Sequence, residues 1–363
     1  MRPSRSVLFV LCCLLGFAPA AFTQAATNDR IQLTLDTNEA DQVLAILAVR
    51  GQGKPIPDAE WQRLFATAPY QRLKQREKAI GEKFHDPSVA FTDDDFKRFV
   101  LSDELLARAA ALSSTLDRWK KADLRKDAEQ VLAYLPADAF LHAKVYPVIK
   151  PGRNSFVWEL SSDPTIFLYL DPEVSREKFE NTVAHELHHI GLGSVGPIYD
   201  RKIAALPEPA HTVADWMGAF GEGMAMLAAA GGPDVDPHAA SSAKEHARWE
   251  HDMGEFNDNL RAVNGFFLDI LNGKFANGDA VEEKGGSFFG TQGPWYTVGY
   301  KMSVMVEKRF GRQALIDTML DPRCLLVLYN RAAAEQNAAG KPPLPLWSED
   351  ILSAVHANTC GPQ

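Results

Sequence analysis

The sequence predicts an α+β fold that is predominantly helical, with one small sheet set beside a helix. Three observations carry that prediction. Apolar residues recur at helical spacing over most of the chain. Between Lys144 and Leu170 the character changes to short runs of strand length and composition. Directly after those runs comes a helix-like segment holding His185-Glu186-Leu187-His188-His189.

The N-terminus reads as a cleaved signal peptide. Arg2 and Arg5 precede the apolar run Val7 to Phe17, and small residues follow, so cleavage fits after Ala20 or Ala25. The run is shorter than the ~20 residues a spanning helix needs. Neither Cys12 nor Cys13 follows the small residue a lipoprotein site would want. Removing residues 1–25 from the 363 leaves 338 and takes the formal charge from −9 to −11. An acidic mature chain argues against nucleic acid and anionic membrane as partners. The expected location is secreted or periplasmic, with no membrane insertion once the signal is gone. Cys324 and Cys360 are the two cysteines left in that oxidising setting; they read as one bridge tying down the tail or as two free thiols.

Residues 26–140 read as a helical region. Thr37 to Val49 carries Val43, Leu44, Ile46 and Leu47 and stops at Gly51-Gln52-Gly53. Asp58 caps a helix with Trp61, Leu64 and Phe65; Thr92 opens another with Phe96, Phe99 and Val100. Ser102 to Trp119 and Asp123 to Leu135 give two more. The basic runs Arg72 to Lys78 and Arg118 to Lys126 alternate with acids and apolar residues, which predicts solvated helix faces. From residue 141 to 363 we expect a catalytic domain. Its sheet draws on Val145 to Ile149, Ser155 to Trp158 and Ile166 to Leu170, with Pro151-Gly152 as a turn. Asn272 to Thr291 reads as a long Gly-rich loop bordering a cleft.

In the motif helix, Asp171-Pro172 looks like the start and Gly191 with Gly193 like the end. Phe179, Val183, Leu187 and Ile190 form the buried stripe, and His185 and His189 lie more than about 90° from it. Residues four apart share a face, so these two histidines can grip one metal ion. Glu186, on the rim of that face, can take a proton from water. His188 lies about 60° from His185 and would become a ligand only by breaking that pair.

Catalytic zinc usually has three protein ligands and one open position. Thirty-two residues separate His189 from Glu222, which lies in a segment from Thr212 to Ala230 that reads as one buried helix. A buried carboxylate is costly unless paired or bound to metal, so Glu222 is the candidate third ligand. Asp215, two turns earlier, would share its face and hold the far nitrogen of a histidine ligand. His211 is a capping residue or a donor to a reaction intermediate. The remaining histidines have no ligand context.

These residues carry a resemblance. HExxH followed by Glu on a later helix resembles the gluzincin zinc peptidases, and Glu222-Gly223-Met224-Ala225 is similar to the third-ligand segment of their aminopeptidase branch. Gly293 to Tyr300, then Glu307 and Phe310-Gly311, resembles that branch's Tyr-x-x-Gly helix start, where the Tyr polarises the oxyanion. The spacer to Glu222 is longer than in the aminopeptidases, and their Gly-rich substrate N-terminus motif is absent. The layout, over roughly residues 140 to 320, is most similar to secreted bacterial zinc-dependent peptidases. The resemblance implies a zincin-like core, a Zn²⁺ cofactor and a peptide or protein substrate. It assigns His185, His189 and Glu222 as ligands, Glu186 as general base and Tyr296 as oxyanion donor, with Tyr300 as fallback. A zinc hydrolase of another amide or ester, and a silent binding protein on the same scaffold, remain as alternatives.

Overall fold

The computed structural model describes residues 30–84, 92–160, 162–357 and 360; residues 1–25, read above as a signal peptide, lie outside them. After strand β1 (Ile31–Leu35) come six helices, α1 (Asn38–Gly51), α2 (Asp58–Ala66), α3 (Ala68–Phe84), α4 (Asp93–Val100), α5 (Asp103–Trp119) and α6 (Leu124–Leu132). Strands β2 (Leu141–Val148), β3 (Phe156–Trp158) and β4 (Thr165–Tyr169) follow. The helices then resume as α7 (Arg176–Ile203), α8 (Ala210–Met217), a 3-10 turn (Gly218–Phe220) and α9 (Gly221–Ala230). The rest are α10 (Ala243–Gly254), α11 (Phe256–Leu271), α12 (Gly278–Ser287), α13 (Pro294–Phe310), α14 (Arg312–Met319), α15 (Arg323–Ala338) and α16 (Glu349–Ala354). No described helix is long and apolar enough to cross a membrane. The chain is thus mostly helical with one four-stranded sheet, an α+β arrangement.

The sheet has the order β1-β2-β4-β3. β1 and β2 run parallel with Ile31 opposite Leu141, β2 and β4 run parallel with Val145 opposite Ile166, and β3 closes the edge antiparallel to β4. Parallel neighbours need a long crossover, and α1 to α6 supply it between β1 and β2. The expected division at residue 140 is therefore crossed by backbone pairing. Successive side chains on a strand face opposite ways. Val145, Ile166 and Leu168 join the main core, while Tyr146, Val148 and Phe167 form a small second core with Leu73 of α3. β4 is buried along its whole length because both faces are covered.

The basic run on α3 departs from the expected solvated face. The Arg72 guanidinium lies 4.3 Å from the centre of the Trp158 ring, and that of Arg76 lies 3.9 Å from the Phe156 ring. Their stems and planar heads cover the aromatic strand β3, as long cationic side chains do over apolar surface. The Asn272 to Thr291 stretch is not a long loop either. Asn277 caps α12 by accepting from Ala280 N at 3.0 Å. Gly285 gives that helix its seat: a Cβ there would stand 2.4 Å from the Trp216 ring, and Trp295 Nε1 donates to Gly285 O at 2.9 Å. Cys324 and Cys360 form a disulfide, Cα atoms 5.3 Å apart, so the tail is bridged to α15.

Candidate metal centre

Helix α7 positions the HExxH residues. Its cap is Ser175, whose Oγ accepts from Lys178 N at 3.1 Å, rather than Asp171. Phe179, Val183, Leu187 and Ile190 are buried as their spacing predicts, and Phe179 stacks on Trp119 at 4.4 Å. The helix does not stop at Gly191. It runs on to Ile203, and Gly191 serves close packing instead: a Cβ there would meet Leu135 Cδ1 at 2.2 Å and Leu141 Cδ2 at 3.0 Å. An apparent stop signal is here the contact point between α7, the end of the α6 segment and the sheet.

Opposite the buried stripe, His185 and His189 converge with Glu222 of α9. His185 Nε2 and His189 Nε2 are 3.1 Å apart, and Glu222 Oε2 lies 3.2 Å from the first and 3.3 Å from the second. Three donors at ~2.1 Å from one ion in tetrahedral array stand roughly 3.4 Å apart. The spacing and the chemistry of this set, two imidazoles and a carboxylate around one point, fit a zinc ion. Without a proton or cation between them, electron pairs so close would repel. Burial alone would raise the Glu222 carboxyl pKa, but its contacts with His185 and His189 hold it well below the usual range. Burial works against a charge on His189, and the Glu222 contact outweighs it, raising that imidazole. One other group of ligand-type side chains occurs among the described residues, Asp321 with Cys324 and Cys360, but its sulfurs are spent on the disulfide.

Tyr296 reaches the same place from α13. That helix crosses α9 almost backbone to backbone. A Cβ on Gly223 would fall 1.9 Å from Tyr300 N, and one on Gly299 would fall 2.6 Å from Phe220 O. Two glycines are needed there, and their contact sets Glu222 beside Tyr296, one turn before Tyr300. The Tyr296 ring lies 6.3 Å from that of His185 and nearly parallel to it. Burial, then the charge and hydrogen bonding of Glu222, raise the Tyr296 phenol above its ordinary value. Glu186 is half-buried, and its negative charge acts on both His189 and Tyr296.

Three candidates fall elsewhere. Tyr300 packs edge-on against Trp249 and donates to Val235 O at 3.4 Å. His188 is fully buried on the core side of α7, neither ring nitrogen has a hydrogen-bond partner, and burial pushes its pKa well down. Asp215 does not hold a histidine ligand; it pairs with His211 at 3.4 Å, which also approaches Glu208 at 3.5 Å. A 3-10 turn, Gly218–Phe220, separates α8 from α9, and the Asp215 side chain lies on the half-exposed surface of α8 with His211.

This donor set, two imidazoles and a carboxylate on a mostly helical fold with a small sheet, is one that could hold a metal ion. The chain belongs to the family described as Putative zinc dependent peptidase (DUF5700), whose family model matches residues 61–338. No curated protein and no solved structure matches it. The matched span contains every residue of the cluster, Tyr296 and Glu186 included.

Proposed function

We propose that the protein is a zinc-dependent peptidase with His185, His189 and Glu222 as the metal ligands. The observation that carries this is the convergence of those three donors to within 3.1–3.3 Å, in a chain of a zinc-peptidase family. Bound there, zinc supplies Lewis acidity toward water and the peptide carbonyl. Glu186 takes the proton of the attacking water and delivers it to the leaving amine. The Tyr296 hydroxyl, protonated at neutral pH, donates to the carbonyl oxygen as negative charge builds on it. His188 stays in the core and takes no part. We place the mature protein outside the cytoplasm, cleaved after its signal peptide, acting on peptides or proteins.

The test is zinc-loaded mature protein against a peptide library and against simple amide and ester substrates. Peptide cleavage that is lost in Glu186→Gln is the expected result. Hydrolysis confined to esters or non-peptide amides would move the protein to the other hydrolase class.

A further inference from the structure

An apolar cavity of about 140 Å³ lies between α7 and the segment leading into α9. On α7 its wall includes Leu192, Gly196 and Tyr199. At 100° per residue these fall within about 80° of His189, on the face that carries both histidines. Leu192 is ~4.5 Å further along the axis than His189, and Gly196 ~10.5 Å. The opposite wall begins at Gly221, the neighbour of Glu222, and continues through Met217 and Met224, with Met319 closing it. A Cβ on Gly221 would stand 3.5 Å from Leu192 Cδ1, an ordinary contact, so the two walls lie side by side there. The cavity thus starts on the two elements that supply the candidate metal ligands.

Its polarity is already settled internally. The Tyr199 hydroxyl donates to Ala214 O at 2.6 Å, and Thr318 Oγ1 donates to Leu315 O at 2.6 Å. Both donor protons are spent, so a polar guest would be desolvated with little in return. A dry apolar cavity of roughly 150 Å³ accepts a benzene-sized guest. One residue of extended chain spans ~3.5 Å, and the nearest wall residue on α7, Leu192, is ~4.5 Å along the axis from His189, a step of the length that a side chain beside a scissile bond would cover.

We propose that this cavity is a specificity pocket that selects a Leu-, Met- or Phe-sized side chain on the residue next to the cleaved bond. The proposal rests on the peptidase reading above. Gly196 offers the means to test it, because it lines the cavity and a Cβ there meets nothing within 4 Å, so a larger side chain can be added on that wall without displacing the helix. Gly218 offers a second filler from the facing element, its Cβ meeting only the Tyr199 hydroxyl, at 3.8 Å.

The experiment compares kcat/KM for zinc-loaded protein on peptides that differ only in Gly, Ala, Leu, Met, Phe or Asp beside the scissile bond. Wild type should prefer Leu or Phe over Ala by ~10-fold or more, the scale a few methylenes provide. In Gly196→Leu and Gly218→Leu that ratio should fall to about one. A second readout needs no turnover. The methyl carbons of Met217, Met224 and Met319, labelled with ¹³C, should shift with N-acetyl-leucinamide, not with N-acetyl-glycinamide, and not in Gly196→Leu. An unchanged Leu-to-Ala ratio in both variants would overturn the pocket. If wild type cleaved no peptide, the peptidase reading itself would fall, and the cavity would stand or fall on the methionine shifts alone.

Discussion

Replacing Gly223 by Ala should damage both fold and site, and the structure says by how much. The new Cβ would sit 1.9 Å from Tyr300 N, 2.3 Å from Gly299 C and 2.7 Å from Gly299 Cα. All three neighbours are backbone, so no side chain can rotate away. An ordinary contact is 3.4 Å or longer, which forces α9 and α13 apart by ~1.5 Å. Overpacking of that kind costs about 1–3 kcal/mol, or more when backbone must move. The separation falls between Glu222 and Tyr296, where a ~1 Å misplacement lowers turnover about 10²-fold. Urea denaturation should show the loss of stability, and peptide hydrolysis the loss of rate. Gly196→Ala is the stability control: it points into open space, and trading helical Gly for Ala should stabilise by ~0.4–1 kcal/mol. A Gly223→Ala protein as stable and as active as wild type would refute this account of how α13 meets the site.

Tyr296→Phe should keep zinc and lower kcat by ~10²–10³, the cost of one oxyanion donor, while Tyr300→Phe leaves kcat near wild type; steady-state kinetics on the pair decides, and the reverse pattern would put the register off by one turn. Cys324→Ser should destabilise by ~3–4 kcal/mol in the chain-entropy model for a loop of 36 residues, and alkylation with intact-mass analysis of the native protein should find no free thiol. Glu39 is fully buried, accepts from Ile149 N at 3.0 Å, and burial pushes its carboxyl up to about 8. Folded protein therefore holds that proton more tightly than unfolded chain, so stability is fully present below pH ~4.5 and falls, by on the order of a few kcal/mol, as pH rises through about 8. Denaturation midpoints of Glu39→Gln, followed against pH, should lack that fall; matching slopes in variant and wild type would show that another group titrates.

The motif helix was legible because its two faces are written in separate residues. Phe179, Val183, Leu187 and Ile190 mark the inside, and i, i+4 spacing leaves His185 and His189 on the other side. What lay beyond the sequence were features decided by distant neighbours. Gly191 reads as a stop, and only Leu135 and Leu141 packed against it explain a glycine inside a continuing helix. β1 went unread as a strand because its partner, Leu141 to Val145, stands about 110 residues away. Arg72 and Arg76 look like solvated charges until Phe156 and Trp158 are brought beneath them. The apolar cavity beside Glu222 combines residues from α7, α8, α9 and α14, and no single segment signals it.

The most direct test of the metal centre is the zinc content of purified mature protein, by elemental analysis, across four substitutions. Wild type and Glu186→Gln should each hold about one zinc per chain, with turnover in Glu186→Gln reduced by ~10²–10⁴. His185→Ala and Glu222→Gln should lose zinc to a chelator far more readily than wild type, whereas His188→Ala should retain it. Full zinc in His185→Ala and Glu222→Gln would contradict the assignment of this cluster, and near wild-type hydrolysis by zinc-replete Glu186→Gln would contradict the mechanism built on it.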